Sequence, residues 1–338
     1  MQFERELKTQ EIEPGTSGLV LLVSRQFDPH VDFIIEKLRS ENIQFARFNT
    51  EDFPRNTSVS LYLGDGETSG LLDVPNNLPF LLNQTRSILY RRPAEPNPPD
   101  NLTKGFEEFV VSESKSVIKG LWSLPDVTWV NYPEDNRRAA IKLDQLRQAQ
   151  ILGLSIPKTL VSNNIIDIRS FFDLCHGSMI VKPLTVGSIE EDGIYKAFYT
   201  SKVEPEHLDQ LGPDNRCPYV FQENIPKELE LRITIVGNSV FAAEIFSQEQ
   251  EGAETDWRKK WEGLRYGIHE LPEDIKNKCL KLARHYNLNF GAIDMIVTPR
   301  GEYVFLEINP NGQWVWIELE TGLPISEAMI KLLSENKH

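Results

Sequence analysis

Leu19–Val23 is a continuous apolar run, the composition of a strand buried on both faces. Asp28–Arg39 then places Val31, Ile34, Ile35 and Leu38 at helical spacing, and Ile43–Phe48 returns to strand composition. Strand, helix and strand in this order predict a βαβ unit opening an α/β layer. Ser87–Tyr90 predicts another strand, closed by Arg91-Arg92-Pro93 and a loop rich in proline. Leu102–Gly120 reads as a helix and Val127–Val130 as a short strand. A second helix, Glu134–Leu152, starts on acidic residues, carries Ala139, Leu143 and Leu146 on one face, and stops at Gly153. Beyond residue 178 the pattern changes to paired strands: Ser178–Lys182, Tyr195–Thr200, Tyr219–Glu223, Leu231–Val236 and Val240–Ile245. Gly237-Asn238 is a tight-turn signal between the last two. One helix, Ile275–Tyr286, precedes a final hairpin of Ala292–Val297 and Tyr303–Asn309. The expected division is a tail at residues 1–17, an α/β unit at 18–130, a central unit at 131–218 and an antiparallel unit at 219–338.

Composition narrows the function. The 338 residues carry 36 Lys and Arg against 50 Asp and Glu, a net charge of −14. That argues against nucleic acid as a partner, since its capture needs a basic face to release counterions. No apolar run approaches the roughly 18 residues of a membrane span, and Met1–Gly15 has no apolar signal core. Cys175, Cys217 and Cys279 are too far apart for zinc pairs and odd in number for a disulfide framework. They read as small buried hydrophobes in a protein of the reducing cytoplasm. No GxGxxG, P-loop or GxSxG pattern is present.

The last hairpin carries the sharpest chemistry. With Arg300-Gly301 as a two-residue loop, Asp294 lies opposite Glu307, and Asn309 follows on the same face. Ile293, Met295, Leu306 and Ile308 then fall on the other face as core. Two carboxylates and an amide oxygen suit Mg²⁺ or Mn²⁺ completed by phosphates; the alternative is a solvated hairpin face. If repulsion between the carboxylates dominates, Glu307→Gln should leave the metal-free fold as stable or slightly more so. Lys182 closes an apolar strand before Pro183 and Thr185–Ser188, where it is either a phosphate cation or a solvated strand end. Lys142 sits inside the second helix, an ordinary surface position unless the fold turns it inward. Gln222-Glu223-Asn224-Ile225 ends a strand before Pro226 and can offer backbone groups to an adenine edge. Glu230 and Arg232 alternate with apolar residues, so they face a ligand together or form a cross-strand ion pair. Asp256–Lys260 is a basic cluster that is otherwise an exposed loop.

In this order the pieces resemble an ATP-grasp ligase from about Gly18 to Leu333. Lys142 and Lys182 match the two ATP lysines, Gln222–Ile225 the adenine hinge, Glu230 the ribose acid, and Asp294, Glu307 and Asn309 the magnesium set. Tyr90-Arg91-Arg92-Pro93, Gly120-Leu121-Trp122, Leu152–Leu160, Asp256-Trp257-Arg258 and Asn309–Trp314 further resemble the microviridin-type, or graspetide, ligases. The resemblance implies a pre-grasp domain, a central subdomain and an antiparallel C-terminal subdomain. It also implies ATP-dependent closure of ester or amide links between Asp or Glu and Thr, Ser or Lys in a ribosomal precursor peptide of leader and core. Ser188 would lie in the phosphate loop, Arg232 and Arg258 would hold the substrate carboxylate, and Glu190, Glu191 and Asp192 would meet the leader. A homodimer is implied on the same ground. An amino-acid ligase acting on a peptide or protein end shares every ATP residue, and an inactive peptide binder remains a third reading.

Overall fold

The structure is a computed structural model that describes residues 18–64, 67–123, 126–185, 188–191, 194–210, 217–260 and 262–335. The expected tail and Asp192 lie outside these residues. The first unit runs β1 (Leu19–Ser24), α1 (Pro29–Ser40), β2 (Phe45–Asn49), β3 (Ser58–Gly64), β4 (Glu67–Asp73), β5 (Phe80–Leu81), β6 (Thr85–Tyr90), α2 (Lys104–Trp122) and β7 (Thr128–Val130). Strands β2-β1-β6-β7 form a parallel sheet, with β3-β4-β5 as a separate antiparallel sheet. All six residues of β1 are buried, as its unbroken apolar run requires. Asp28 caps α1 and Pro29 opens it, and the helix buries Val31, Ile34, Ile35 and Leu38, the stripe read from spacing. The meander β3–β5 has no such clean pattern, because its residues are mostly exposed or half-buried.

The chain continues through α3 (Pro133–Ala139), α4 (Lys142–Ile151), β8 (Thr159–Ser162), α5 (Ile165–Leu174), β9 (Met179–Lys182), β10 (Ser188–Glu191), β11 (Ile194–Ala197), β12 (Ser201–Val203) and α6 (Pro205–Gln210). The remainder is β13 (Tyr219–Glu223), β14 (Leu229–Val236), β15 (Ser239–Ile245), β16 (Tyr266–Ile268), α7 (Glu273–His285), β17 (Phe290–Val297), β18 (Tyr303–Asn309), α8 (Val315–Thr321) and α9 (Ile325–Ser334). Two antiparallel sheets result, β12-β9-β13-β8 and β16-β15-β14-β17-β18, and β10-β11 is a separate hairpin. Helices α4 and α7 cover one face of the five-stranded sheet through Leu146, Ile275, Cys279 and Leu282. The C-terminal helices return to the first unit: Met329, Ile330 and Leu333 share a core with Val20, Leu22 and Ile34. Among the described residues no helix is long and apolar enough to cross a membrane.

Three expectations need correction. The single helix Glu134–Leu152 is two helices broken at Ala140-Ile141, so Lys142 opens α4 instead of lying mid-helix. Buried Gln145 explains the break. Its amide donates to the carbonyls of Ala139 and Ile308, and its oxygen accepts from Ile308 N. A tertiary bond thus replaces helical continuity. The final hairpin has a three-residue turn, with Thr298 N–H donating to Glu302 O at 2.9 Å and Gly301 at φ 77°. A bulge between Asp294 and Met295 then adds Leu306 on the opposite strand. The two one-residue shifts cancel, so Asp294 still faces Glu307, while Leu306 leaves the core face and lines a cleft. Finally, Cys175 and Cys279 are buried but Cys217 is exposed.

Candidate ATP and substrate site

The cleft lies between the two antiparallel sheets. From the four-stranded sheet it receives Ile180, Lys182 and Gln222, and from the five-stranded sheet Glu230, Asp294, Ile296, Leu306 and Glu307. Lys142 reaches it from the first turn of α4, and Arg258 from the Asp256–Lys260 segment. A wider cavity of about 620 Å³ adjoins it and shares Trp257, Arg258, Asp294 and Glu307. Arg92, Arg232 and Asn309 line that second cavity.

Electrostatics differ between the two facing carboxylates. Lys142 Nζ lies 3.4 Å from Glu307 Oε2. Burial opposes ionisation of Glu307, but Lys142, Lys182 and Arg258 outweigh it and hold the carboxyl below its ordinary range. Asp294 is raised instead, chiefly by burial and then by the Glu307 charge, although Arg232 Nη1 donates to its Oδ1 at 2.7 Å. Burial also pushes the Lys182 ammonium down to about 8 against the raising effect of Glu307. Glu230 is raised by burial, and its Oε1 accepts from Lys227 Nζ at 3.0 Å and Ser247 Oγ at 2.8 Å. Lys227 was not singled out from sequence, though its i,i+3 spacing to Glu230 was the available signal.

The hinge segment is placed at the cleft, but with different groups free. Glu223 and Asn224 amides already donate to the carbonyls of Lys158 and Ser178, at 3.0 and 2.9 Å. The Glu223 side chain pairs with Lys158 at 3.1 Å. Buried Gln222 Oε1 has no hydrogen-bond partner, and Ile180, Ile225, Ile296 and Leu306 supply apolar walls of the same cleft. An aromatic base with an exocyclic amine fits that combination. The metal set also fits a hard cation: two converging carboxylates, one with its ionisation suppressed, beside the Asn309 amide oxygen. Asn309 Oδ1 accepts from Asn311 N–H at 2.9 Å, leaving its second lone pair for a cation. Among the described residues no three His, Cys, Asp or Glu side chains cluster as a metal site, so the amide is needed as the third ligand.

The arginines are committed unequally. Arg232 spends Nη1 on Asp294 and Nη2 on the Gln313 carbonyl at 2.8 Å, so the expected fork onto a substrate carboxylate is already occupied. Arg258 grips buried Asp256 through Nε and Nη2 at 2.8 and 2.9 Å, which leaves Nη1 toward the cavities. Ser188 opens β10, and Glu190 and Glu191 stand exposed on the β10–β11 hairpin, where Glu191 pairs with Lys196. Gly312 is packed where no side chain fits, since a Cβ there would sit 2.3 Å from Ala292 Cβ and 2.8 Å from Arg232 Nη2. Gly312→Ala should therefore destabilise the fold by ~1–3 kcal/mol, read as a lowered urea midpoint. An unchanged midpoint would show that the loop relaxes freely.

Residues 19–137 match the family described as the MvdD pre-ATP grasp domain. The macrocyclase MdnC of Microcystis aeruginosa MRC, solved with precursor peptide MdnA, is 33% identical with a TM-score of 0.81; the match covers 93% of this chain and 99% of that one. The chain belongs to the graspetide-type ATP-grasp ligases. A second ligase of this kind is the RiPP-associated ATP-grasp ligase of Chryseobacterium gregarium, solved with ADP and a leader and core peptide. It is 32% identical with a TM-score of 0.86, over 94% of this chain and 96% of that one. A probable alpha-L-glutamate ligase of Cellvibrio japonicus is 26% identical over 199 residues. That match covers 57% of this graspetide-type ligase and 64% of the relative, less than two thirds of its length.

Proposed function

We propose that this ligase phosphorylates Asp or Glu side chains of a ribosomal precursor peptide and closes them onto Thr or Ser hydroxyls, or Lys amines, within the same peptide. The observation that carries the reading is the junction of the two cavities at Arg258, Asp294 and Glu307. A group activated in the narrow cleft is thereby already in the wider one, which has room for two peptide side chains. Gln222 and the apolar walls would take adenine, Glu230 the ribose, and Lys142 and Lys182 the phosphates. Asp294, Glu307 and Asn309 would hold Mg²⁺ or Mn²⁺. Mg·ATP, when bound, supplies the phosphoryl group that turns an unreactive carboxylate into an acyl donor.

The protein's own contribution is charge placed before the reaction. Lys142, Lys182 and Arg258 converge on Glu307, where negative charge would develop. Arg258 Nη1 and the terminal nitrogens of Arg92 would hold the substrate carboxylate, while Arg232 keeps Asp294 in place. The exposed Glu190 and Glu191 would meet the basic residues of a leader.

Incubation with Mg·ATP and a precursor peptide rich in Thr and Glu or Asp, encoded beside the gene, tests the reading by mass. Loss of one water per link is the expected result. A gain of one amino-acid residue would favour the glutamate-ligase type of reaction, to which the 26% relative points. No mass change with a peptide that binds would favour a non-catalytic binder.

A further inference from the structure

In the loop after β18 the three successive carbonyls of Asn311, Gly312 and Gln313 are held by arginines. Asn311 O accepts from Arg91 Nη1 at 3.3 Å and from Arg92 Nε at 3.1 Å. Gly312 O accepts from Arg91 Nη1 at 3.0 Å, and Gln313 O from Arg232 Nη2. Arg91 and Arg92 directly follow β6 of the parallel sheet, whereas Arg232 belongs to β14 of the five-stranded sheet. The loop is thus a bridge between a guanidinium outside the site and one that touches Asp294.

Arg91 is itself oriented. Its Nε donates to Asp28 Oδ1 at 3.1 Å, and the two residues are only 4% and 2% exposed. Asp28 cannot rotate away, because the same oxygen caps α1 through His30 N and Val31 N. Arginine–carboxylate pairs frequently close as a two-pronged fork. Here the fork is not formed: Asp28 Oδ2 and Arg91 Nη2 are both buried without partners, and Arg91 Nη1 is aimed at the loop instead. The missing Cβ at Gly312 lets the loop press onto Ala292 and Arg232.

We infer that Asp28 and Arg91, which line neither of the two cavities, are positioning residues that act through the Asn311–Gln313 carbonyls to fix Arg232, and through it the Asp294 carboxylate. The inference rests on the proposed peptide chemistry, since it assigns Asp294 to that site. It gives the N-terminal unit a defined part in the reaction: the Arg91-Arg92 corner after β6 would set the geometry of Asp294 through a loop whose Asn311 carbonyl lies 220 residues on from Arg91.

A double-mutant cycle with Arg91→Lys and Arg232→Lys tests it, reading peptide modification and the KM for ATP. Lysine keeps each charge, but its single nitrogen cannot bond Asp28 and the loop carbonyls together as Arg91 does, or Asp294 and the Gln313 carbonyl together as Arg232 does. Arg91→Lys should lower kcat by roughly tenfold to a hundredfold, as displacement of reacting groups by about 1 Å does, with little change in KM for ATP. Added to Arg232→Lys it should cost nothing further, because both act on one contact. Additive losses, or unchanged kcat, would overturn the inference. Should Arg91→Lys fail to fold, Asp28→Asn retains the helix cap but loses the charge that orients Arg91. The same cycle with Asp28→Asn gives the same two outcomes. Failure of the wild type to modify any peptide would instead refute the proposed function, so the two are distinguishable.

Discussion

Lys182→Met should lower Mg·ATP-dependent turnover on the order of 10²–10³-fold or more, and yet melt no lower than the wild type. The reason is the state of the lysine before nucleotide arrives. Burial lowers its pKa from 10.5 to about 8, and Lys142 and Arg258 push the same way against Glu307. The ammonium is therefore held in an environment that disfavours it. Between pH 8 and 10.5 the unfolded chain binds more protons at this residue, so the ligand-free fold gains stability as pH rises there. A neutral side chain of similar length has that gain at pH 7 already. A triphosphate reverses the balance and draws the proton back. Binding of Mg·ATP at pH 8 should then take up protons, seen as a dependence of calorimetric heat on the buffer's ionisation enthalpy. Nucleotide affinity should weaken above about pH 8. Identical heats in phosphate and Tris, or an active Lys182→Met variant, would remove Lys182 from the phosphate site.

How much of this was legible in the sequence depends on the range of the interaction that sets each feature. The stripe of α1 and the buried run of β1 were legible, because period and composition are local properties. The Asp294–Glu307 pairing was also reached, though by two compensating errors: a turn one residue longer than expected and a bulge that restores register. Leu306 exposes the difference, since it lines the cleft rather than the core. The position of Lys142 at the start of α4 was not legible. It depends on Gln145 bonding to β18, a contact 163 residues away in sequence. Arg91 and Arg92 were visible as part of a motif, but the partners that tie them to the Asn311–Gln313 loop are main-chain carbonyls, which carry no side-chain signature. The charge states were furthest out of reach. Asp294 and Glu307 look alike in sequence, and only the three-dimensional arrangement of Lys142, Lys182, Arg232 and Arg258 separates them.

That separation reverses the expectation that Glu307→Gln is harmless to the ligand-free fold. Glu307 is held below its ordinary 4.5 because three cations prefer it charged. Its contribution to stability is therefore complete above pH 4.5 and is lost as pH falls through the lower folded value. Replacing it with glutamine strands Lys142, Lys182 and Arg258 without their shared anion and should cost ~1–3 kcal/mol. Asp294 has the opposite sign. Its folded pKa lies above 3.8, so at neutral pH its charge is a net cost that is relieved as acid protonates it. Asp294→Asn keeps an oxygen for Arg232 Nη1 and should melt at or above the wild-type temperature. Both variants should lose the stabilisation by Mg·ATP, roughly 2.7 kcal/mol at a hundredfold excess over Kd. The measurement is melting temperature with and without Mg·ATP for the two variants at pH 7. Opposite shifts without ligand and a common loss of the ligand shift are expected. Equal shifts without ligand would return the pair to simple mutual repulsion, and a retained ligand shift in either variant would place the metal elsewhere.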